Sequence, residues 1–467
     1  KNTTHLILGM LALTFGMEAM AQIQLPSVFS DGMVLQQNSK VAVWGWGNPS
    51  ETLMILSEWN PGDTVRTVVD NQGCWKAVVP TGHAGGPYTL EVKGGNDSRK
   101  VSDVMLGEVW LCSGQSNMEW SADMGIMNGE QEVKQAACPS VRIFHNPKQG
   151  ADTPQTDCRT KWEVATPESM RKTSATAYFF ARYLTEHLKV PVGIFVSAWG
   201  GTPAEVWTPA DIVENDEILA KNKLKDYPWW PIKPGVLYNQ MIHPLVPYQI
   251  AGCIWYQGES NHENAPSYAR LVSKMVEAWR KDFEWDFPFY YVQIAPHTYG
   301  AKNNTPALLR EQQELMLGQV KNTAMINISD LVENVKDIHP RNKRAIGERL
   351  ACLAMDKVYG QFTGAYESPC LHDARVVKRN LEVTLEGNFN TLHSTTKEVT
   401  GLTVVDCTGK QVAVNARLKG KSLQIPLRGL KAPYQVYYCF DEATIGSLRT
   451  DADMPVLPFR TAKIEVK

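Results

Sequence analysis

Between residues 104 and 359 the sequence alternates short apolar runs with longer segments of helical periodicity. The runs have the length of strands and lack a regular polar face, which is typical of strands buried on both sides. Because such strands alternate with helices, they predict a parallel sheet covered by helices on both faces, the doubly wound α/β class. The predicted strands are 104–112, 141–145, 192–199, 250–257, 289–294 and 324–329, and the predicted helices are 174–188, 266–282, 306–320 and 340–359.

The regions on either side show short alternating runs broken by glycine, proline and asparagine. This pattern is typical of antiparallel β structure. A chain of 467 residues is also too long for one ordinary hydrophobic core. We therefore predict an N-terminal β-sandwich-like domain over residues 22–103, an α/β domain over 104–363 and a C-terminal β domain over 364–467.

The first 21 residues have the features of an export signal. Lys1 supplies a positive start, residues 6–17 are largely apolar, and Ala19 and Ala21 fit a small-residue cleavage site. This pattern predicts a signal peptide over residues 1–21 and export to the periplasm or the extracellular space. A short buried N-terminal helix is the alternative interpretation.

Charge and cysteine content exclude several classes of function. A formal net charge of −2 argues against nucleic-acid binding, and no run of 18 apolar residues predicts a membrane span. The nine cysteines include no CxxC pair, so we expect no zinc site. Cys138 and Cys158 are the nearest candidates for a disulfide after export, whereas Cys112 and Cys253 are expected to be buried small hydrophobes. The sequence leaves the oligomeric state open.

Unusual polar residues follow the predicted strands where each strand ends. Ser116 follows the first strand, Gly201 the third, and residues 257–261 the fourth, while Asp337 and His339 lie beyond the last. Ligands of open parallel sheets bind beyond the carboxyl ends of the strands. We therefore expect these residues to meet at one edge of the sheet.

The residue types at this edge suit nucleophilic catalysis. A serine hydroxyl needs a base to take its proton, and His339 can be that base for Ser116, with Asp337 orienting the imidazole. A tetrahedral oxyanion needs hydrogen-bond donors. The candidate donors are the backbone amides of Ser116 and Gly201 and a side-chain amide from Gln257 or Asn261. Together these groups predict ester hydrolysis by a serine nucleophile.

Each residue also has an ordinary structural interpretation. Ser116 is a good helix N-cap, and the glycine pair that contains Gly201 can be a tight turn. Glu259 can be a solvated loop charge. His339 can open the final helix with the following proline at its first position, and Asp337 can cap that helix.

Five blocks of sequence resemble the SGNH hydrolase superfamily, and more closely its carbohydrate-esterase branch, which contains sialate O-acetylesterases and acetylxylan esterases. The blocks are residues 30–36 with Trp44-Gly45, the nucleophile block 107–119, the third block 255–261, the histidine block 337–350 and the C-terminal block 458–461. The nucleophile block is long and specific, whereas the β-domain matches are weaker.

The resemblance implies Ser116 as nucleophile, His339 as base, and hydrolysis through an acetyl-enzyme without a cofactor. It implies an SGNH-hydrolase core for residues 104–363 and an O-acetylated sugar or glycan as substrate, with sialic acid preferred and acetylxylan or another acetylated glycan as runner-up. A non-catalytic glycan-binding protein is the alternative from another class. A thioesterase or lipase would instead require an apolar acyl pocket.

The sequence departs from the wider superfamily at three places. The nucleophile motif is Gly-Gln-Ser-Asn, residues 114–117, rather than Gly-Asp-Ser-Leu. Residues 257–259 replace a Gly-x-Asn-Asp pattern, which leaves the side-chain oxyanion donor open between Gln257 and Asn261. The candidate acid, Asp337, precedes His339 by two residues, whereas the acid of the superfamily precedes its histidine by three. The role of Asp337 in orienting the imidazole is therefore left open. Glu333 and a backbone carbonyl that steers a Ser-His dyad are the alternatives.

Several neighbours of these motifs are candidate sugar contacts. We predict substrate contacts from Gln115, Asn117, Trp199, Glu259 and Arg310. Indole faces can pack on sugar rings, although Trp120, Trp199, Trp207 and Trp255 suit a core equally well. Arg310 can bind a carboxylate in bidentate geometry, or it can be an ordinary surface arginine of a helix.

Overall fold

The computed structural model describes residues 23–301 and 304–465, so the predicted signal peptide lies outside the described residues. The N-terminal region is antiparallel β structure, as its alternating pattern predicts. In the second and fifth strands, buried and exposed residues alternate along the strand, which places one face on a core. The first six strands are β1 Val34–Gln36, β2 Lys40–Trp46, β3 Thr52–Ser57, β4 Thr64–Val68, β5 Cys74–Pro80 and β6 Gly85–Gly94.

One long strand, β7 (Asp97–Gly114), joins the N-terminal region to the central sheet. Its first half pairs with β6, residues 108–114 pair with β10, and residues 110–114 also pair with β11 on the other side. The sequence-based boundary between residues 103 and 104 therefore falls inside a continuous strand. The N-terminal β region and the central sheet share this strand and also one hydrophobic core.

The central sheet contains β7 and six further strands in the order β9-β8-β10-β7-β11-β12-β13. All neighbouring pairs are parallel except β8 and β9. The fold prediction is thus confirmed as a mixed α/β structure with a large, mainly parallel sheet. The added strands are β8 Cys138–His145, β9 Trp162–Ala165, β10 Val192–Ala198, β11 Gly252–Tyr256, β12 Phe289–Val292 and β13 Thr323–Ile326.

Helices cover both faces of this sheet. α4 and α8 share a core cluster on one face, and α6 and α7 pack in the cluster that also contains the N-terminal strands. α4 begins where the Ser174 hydroxyl accepts a hydrogen bond from the Ala177 amide at 3.1 Å. The helices are α1 Ser116–Glu119, α2 Gly129–Lys134, α3 Pro167–Lys172, α4 Ala175–Leu188, α5 Ala210–Glu214, α6 Tyr268–Asp282, α7 Thr305–Gln319 and α8 Lys343–Lys357.

The last helix begins later than the sequence predicts. α8 starts at Lys343, and the Asn342 side chain caps it by accepting from the Ala345 amide at 3.1 Å. His339 and Pro340 therefore lie in the preceding loop. The interpretation of His339 as the residue that opens this helix is wrong.

The C-terminal region forms two four-stranded antiparallel sheets and a two-stranded pair around a separate hydrophobic cluster. Its strands are β14 Cys370–Val377, β15 Asn380–Glu386, β16 Leu392–Ser394, β17 Leu402–Val405, β18 Gln411–Ala413, β19 Arg417–Lys419, β20 Ser422–Pro426, β21 Gln435–Tyr438, β22 Leu448–Thr450 and β23 Phe459–Arg460.

All nine cysteines are free thiols, so the suggested Cys138–Cys158 disulfide is wrong. The two residues face different cores, because Cys158 packs in the cluster of the N-terminal strands and Cys138 against that of α4 and α8. Cys112 and Cys253 are fully buried, as predicted. Within residues 23–301 and 304–465, the helices include none with the length and apolar character to cross a membrane. The same residues contain no cluster of three or more potential metal ligands.

Candidate active site

Ser116 lies directly beyond the carboxyl end of β7. The later strands β8 to β10 lie on one side of β7 in the sheet, and β11 to β13 lie on the other side. The turn requires glycine at Gly114, since φ is +143° there and a Cβ atom would lie 2.2 Å from the Tyr256 carbonyl oxygen. Gln115, not Ser116, is the N-cap residue of the short helix that follows. The capping interpretation of Ser116 is therefore wrong, and its hydroxyl faces a cavity.

His339 is placed to act on Ser116. Its Nε2 atom lies 3.0 Å from the Ser116 Oγ atom, although 223 positions separate the two residues. The Trp120 indole stacks on the imidazole with ring centroids 3.8 Å apart and planes inclined by 20°. This stacking restricts the tilt of the ring, so Nε2 stays directed at the hydroxyl.

The imidazole of His339 is held in its neutral form. Burial, and to a smaller extent the nearby Lys343 ammonium, lower the pKa of His339 to about 4, while Asp337 opposes the shift. A neutral Nε2 atom can accept a proton at neutral pH. His339 therefore has both the geometry and the protonation state of a general base.

Asp337 contacts the histidine mainly through its backbone. Its Oδ1 atom accepts a hydrogen bond from the His339 backbone N–H at 3.0 Å but lies 3.7 Å from Nδ1, beyond normal hydrogen-bonding distance. Its other oxygen is 3.4 Å from Arg341 Nε. Asp337 thus shapes the loop and exerts an electrostatic effect on the ring, and it does not cap α8. Glu333 is exposed, and no bond from it to His339 is found among the described residues.

Two backbone amides at the cavity are open for an oxyanion. Ser116 and Gly201 both line it, and the described residues provide no acceptor for either N–H. The turn that contains Gly201 is held against Ser116, because the Glu119 carboxylate accepts from the Gly200 amide at 2.5 Å. Lys148 in turn donates to Glu119 at 2.6 Å. Sequence reasoning gave Glu119 no role of its own, although it is the last residue of the nucleophile block.

The two predicted side-chain oxyanion donors lie behind the cavity wall. Gln257 and Asn261 are 0% and 1% exposed, and neither lines the cavity. Gln257 Nε2 donates to the Asn261 Oδ1 atom at 2.7 Å and to the Thr202 carbonyl at 3.3 Å, while Asn261 Nδ2 donates to Glu205 at 2.8 Å. Because the side-chain N–H groups of both residues donate to interior acceptors, these carboxamides stabilise the loop after β11.

A buried polar network connects three segments of the site. Asn117 donates to the Glu259 carboxylate at 2.6 Å and to the Ile338 carbonyl at 3.1 Å, and its oxygen accepts from Lys343 Nζ at 2.6 Å. Burial lowers the pKa of Lys343 to about 7 and raises the pKa of Glu259. Asn117 and Lys343 are fully buried, so the network fixes the loop of His339 relative to Ser116. Sequence reasoning gave Lys343 no role, because a lysine at a helix start usually faces solvent.

The cavity above Ser116 and His339 has a volume of about 600 Å³, within the range of small-molecule sites. Gln115, Trp120, Trp199 and Glu259 line it. Gln115 also accepts at 3.3 Å from the amides of Gly258 and Ser260, residues of the loop after β11. These lining residues remain candidates for substrate contact.

Four other residues predicted near the substrate do not line the cavity. Asn117 is fully buried in the polar network, so the prediction that it contacts substrate is wrong. Trp207 and Trp255 are 0% and 1% exposed and belong to the core. Arg310 is 2% exposed and donates to the Asp441 carbonyl of the C-terminal region. Arg310 is therefore neither a substrate contact nor a surface arginine, and its position depends on a long-range contact that helical periodicity does not reveal.

Comparison with known proteins shows that this chain is similar to carbohydrate esterases. Residues 106–356 match the family described as carbohydrate esterase, sialic acid-specific acetylesterase. Sialate O-acetylesterases from Homo sapiens and Pongo abelii are each 31% identical over 381 residues, covering 73% of this chain and 72% of theirs. The crystal structure of a carbohydrate acetylesterase from Xanthomonas citri is similar with a TM-score of 0.86 and 33% identity, covering 94% of this chain and 99% of that one.

Proposed function

Because the chain belongs to the carbohydrate esterases described as sialic acid-specific acetylesterases, we propose that it hydrolyses O-acetyl esters of sialic acids with Ser116 as nucleophile. Family membership makes it a carboxylic ester hydrolase. The observation that carries the assignment of the nucleophile is the 3.0 Å contact between His339 Nε2 and Ser116 Oγ. The intact pair also argues against a non-catalytic glycan-binding protein.

Acylation begins when Ser116 Oγ attacks the acetyl carbonyl carbon and His339 Nε2 takes the hydroxyl proton. The carbonyl oxygen becomes an oxyanion, which the amides of Ser116 and Gly201 stabilise. Loss of one such donor typically costs about a hundredfold in rate. The imidazolium then gives its proton to the sugar oxygen as the ester bond breaks, which leaves an acetyl-enzyme and the free sugar alcohol.

Deacylation repeats these steps with water. Nε2 of His339 takes a proton from the attacking water, a second oxyanion forms at the same amides, and the Ser116 oxygen leaves with that proton. Acetic acid is released and loses its proton to the solvent to become acetate, and the serine and the neutral imidazole are restored. Each step uses only the residues of this site and water.

The pH dependence of hydrolysis tests the state of His339. With a pKa of about 4 in the free protein, His339 is protonated only as the pH falls through that value, so kcat/KM for p-nitrophenyl acetate should stay constant down to about pH 5 and then fall. Replacing Lys343 by methionine removes a cation that disfavours protonation, so the midpoint of the fall should move upward. A wild-type midpoint at or above about pH 6, near that of an unperturbed imidazole, would contradict the buried neutral base.

A panel of acetylated substrates tests the proposed function. Acetate release should be fastest from O-acetylated sialic acids, slower from acetylated xylan oligomers, and lowest from long-chain p-nitrophenyl esters. The 33% identical Xanthomonas citri protein is described only as a carbohydrate acetylesterase, which makes acetylated neutral glycans the second candidate substrates. Faster release from acetylated xylan oligomers would identify acetylated neutral glycans as the substrates. Faster hydrolysis of long-chain esters would contradict carbohydrate acetylesterase activity.

Three finer assignments accompany this proposal. We assign the central region, 104–363, to the doubly wound SGNH-hydrolase fold, which the strand order around β7 supports. The flanking β regions are assigned as domains over 22–103 and 364–467, of which the first is continuous with the central sheet through β7 and shares its core. Residues 1–21 are assigned as a signal peptide and the protein as exported, on their sequence pattern alone.

A further inference from the structure

One wall of the cavity carries three aromatic side chains that no sequence motif indicates. Tyr227 and Trp230 form an antiparallel backbone bridge, which closes a tight turn with Trp229 at its tip. The Tyr227 ring centroid lies 4.5 Å from that of Trp230 and 5.4 Å from that of Trp229. We call Tyr227, Trp229 and Trp230 the aromatic wall.

The aromatic wall is fixed relative to the nucleophile. The Trp230 ring packs so closely on Gly201 that a Cβ atom there would lie 2.2 Å from it. The preceding Gly200 abuts Ser116, since a Cβ atom on Gly200 would lie 3.2 Å from the Ser116 Cβ atom. The turn after β10 therefore connects the reacting hydroxyl to the aromatic wall. A ligand held by this wall is held at a fixed distance from Ser116.

Trp229 is unusual among the tryptophans near the site. Its side chain is 62% exposed, whereas Trp207 and Trp255 are buried in the core. An exposed indole leaves a large apolar surface in water, and covering that surface is favourable. That surface lies at a cavity lined by the proposed catalytic pair, so it can be covered by the apolar face of a bound sugar ring.

The lysines at the cavity differ in their partners. Lys148 pairs with Glu119 at 2.6 Å, and Lys225 pairs with Glu263 at 2.7 Å. Lys223 lines the same cavity, and within the described part of the chain it forms no ion pair. Its segment is anchored, because its backbone carbonyl accepts from Asn264 Nδ2 at 2.9 Å. Lys223 thus presents an uncompensated positive charge close to the aromatic wall.

We propose that the aromatic wall and Lys223 form the subsite for an acidic sugar, with the Trp229 indole stacked on the sugar ring and Lys223 paired with its carboxylate. This inference rests on the proposed function and extends it from the reacting ester to the rest of the substrate. The carboxylate of an acidic sugar would be an anionic partner for Lys223, which has none among the described residues. The apolar face of the sugar ring would cover the exposed indole of Trp229. Neutral acetylated sugars would use the indole alone.

The role of Trp229 is tested by the ratio of kcat/KM for an O-acetylated sialic acid to that for p-nitrophenyl acetate. Trp229→Ala should lower this ratio about tenfold, mainly through a higher KM for the sugar, because stacking binds ground state and transition state alike. Trp229→Phe keeps a flat ring and should recover most of the ratio. Trp285→Ala, which removes an indole 45% exposed away from the cavity, is the matched control and should leave the ratio unchanged.

The role of Lys223 is tested by a substrate pair that differs only in charge. Lys223→Met should raise the KM for the O-acetylated sialic acid about fivefold, since an exposed charge pair contributes roughly 1 kcal/mol or less. It should have little effect on the analogue whose carboxylate is replaced by an amide. Lys397→Met, at an exposed site in the C-terminal region, is the control.

The outcomes separate this inference from the proposed function. Wild-type release of acetate from the sialic acid ester, with the ratio for Trp229→Ala within twofold of wild type, overturns the aromatic subsite alone. Equal losses for the acid and the amide in Lys223→Met overturn the carboxylate contact alone. No acetate release by wild type from any O-acetylated sialic acid, while p-nitrophenyl acetate is cleaved, overturns both the substrate assignment and this subsite. Thermal unfolding of each variant excludes loss of folding as the cause.

Discussion

Replacing Ser116 by alanine should lower kcat for acetate release by at least about a thousandfold. The variant keeps the backbone amides and the cavity but loses the Ser116 Oγ atom, which attacks the acetyl carbon. Ser116 is the first residue of α1, and its hydroxyl caps no helix, so the fold should survive the change. The measurement is acetate release by purified protein, with thermal unfolding as the check on folding.

Ser113→Ala is the matched control for Ser116→Ala. Ser113 lies three positions earlier, inside β7, is fully buried, and has a hydroxyl without a hydrogen-bond partner among the described residues. Its replacement should leave activity within about threefold, because no hydrogen bond is lost. Retained activity in Ser116→Ala would remove that residue from the mechanism, whereas equal losses in both variants would point to damage to the strand.

The second large effect is expected for His339→Ala, which should also lower kcat by about a thousandfold or more. Without the imidazole, no described group lies within hydrogen-bonding distance of Ser116 Oγ to take its proton. The variant should still unfold cooperatively near the wild-type temperature, since His339 lies in a loop and not in the core. Activity within tenfold of wild type would place the base elsewhere.

Asp337→Asn separates a triad from a dyad. Since the Asp337 carboxylate is 3.7 Å from Nδ1 and Trp120 already restricts the ring, we expect a loss of only about tenfold. A loss as large as that of His339→Ala would show that a direct Asp337–Nδ1 hydrogen bond forms during turnover. Assaying Asp337→Asn and His339→Ala side by side therefore shows whether the Asp337 carboxylate is the third member of a catalytic triad.

Much of the central fold could be predicted because its strands are apolar throughout and its helices have clear periodicity. The four predicted helices appear as α4, α6, α7 and α8. The boundary at residue 103 was less predictable, because the continuity of β7 through Gly107 depends on pairing with neighbouring strands. The start of α8 was misplaced because proline at 340 is compatible with a helix N-terminus, and only the Asn342 side chain shows where the helix begins.

At the site, the sequence predicted Ser116 and His339 together because both follow strands of one parallel sheet. It failed where a role depends on side-chain direction. Gln257 and Asn261 follow the right strand, but their amides bond within the interior. Trp229 lies in an irregular segment between β10 and β11, where neither period nor motif indicates that the chain turns back over the cavity.

The most direct test of the account is to map the site of covalent labelling by a fluorophosphonate, which reacts with serines activated as nucleophiles. If His339 activates Ser116 as the nucleophile, we expect one label per protein, located on Ser116 by peptide mass spectrometry, with loss of acetate release in proportion to labelling and no labelling of His339→Ala. A label on another residue, or labelled protein that keeps its activity, would contradict it.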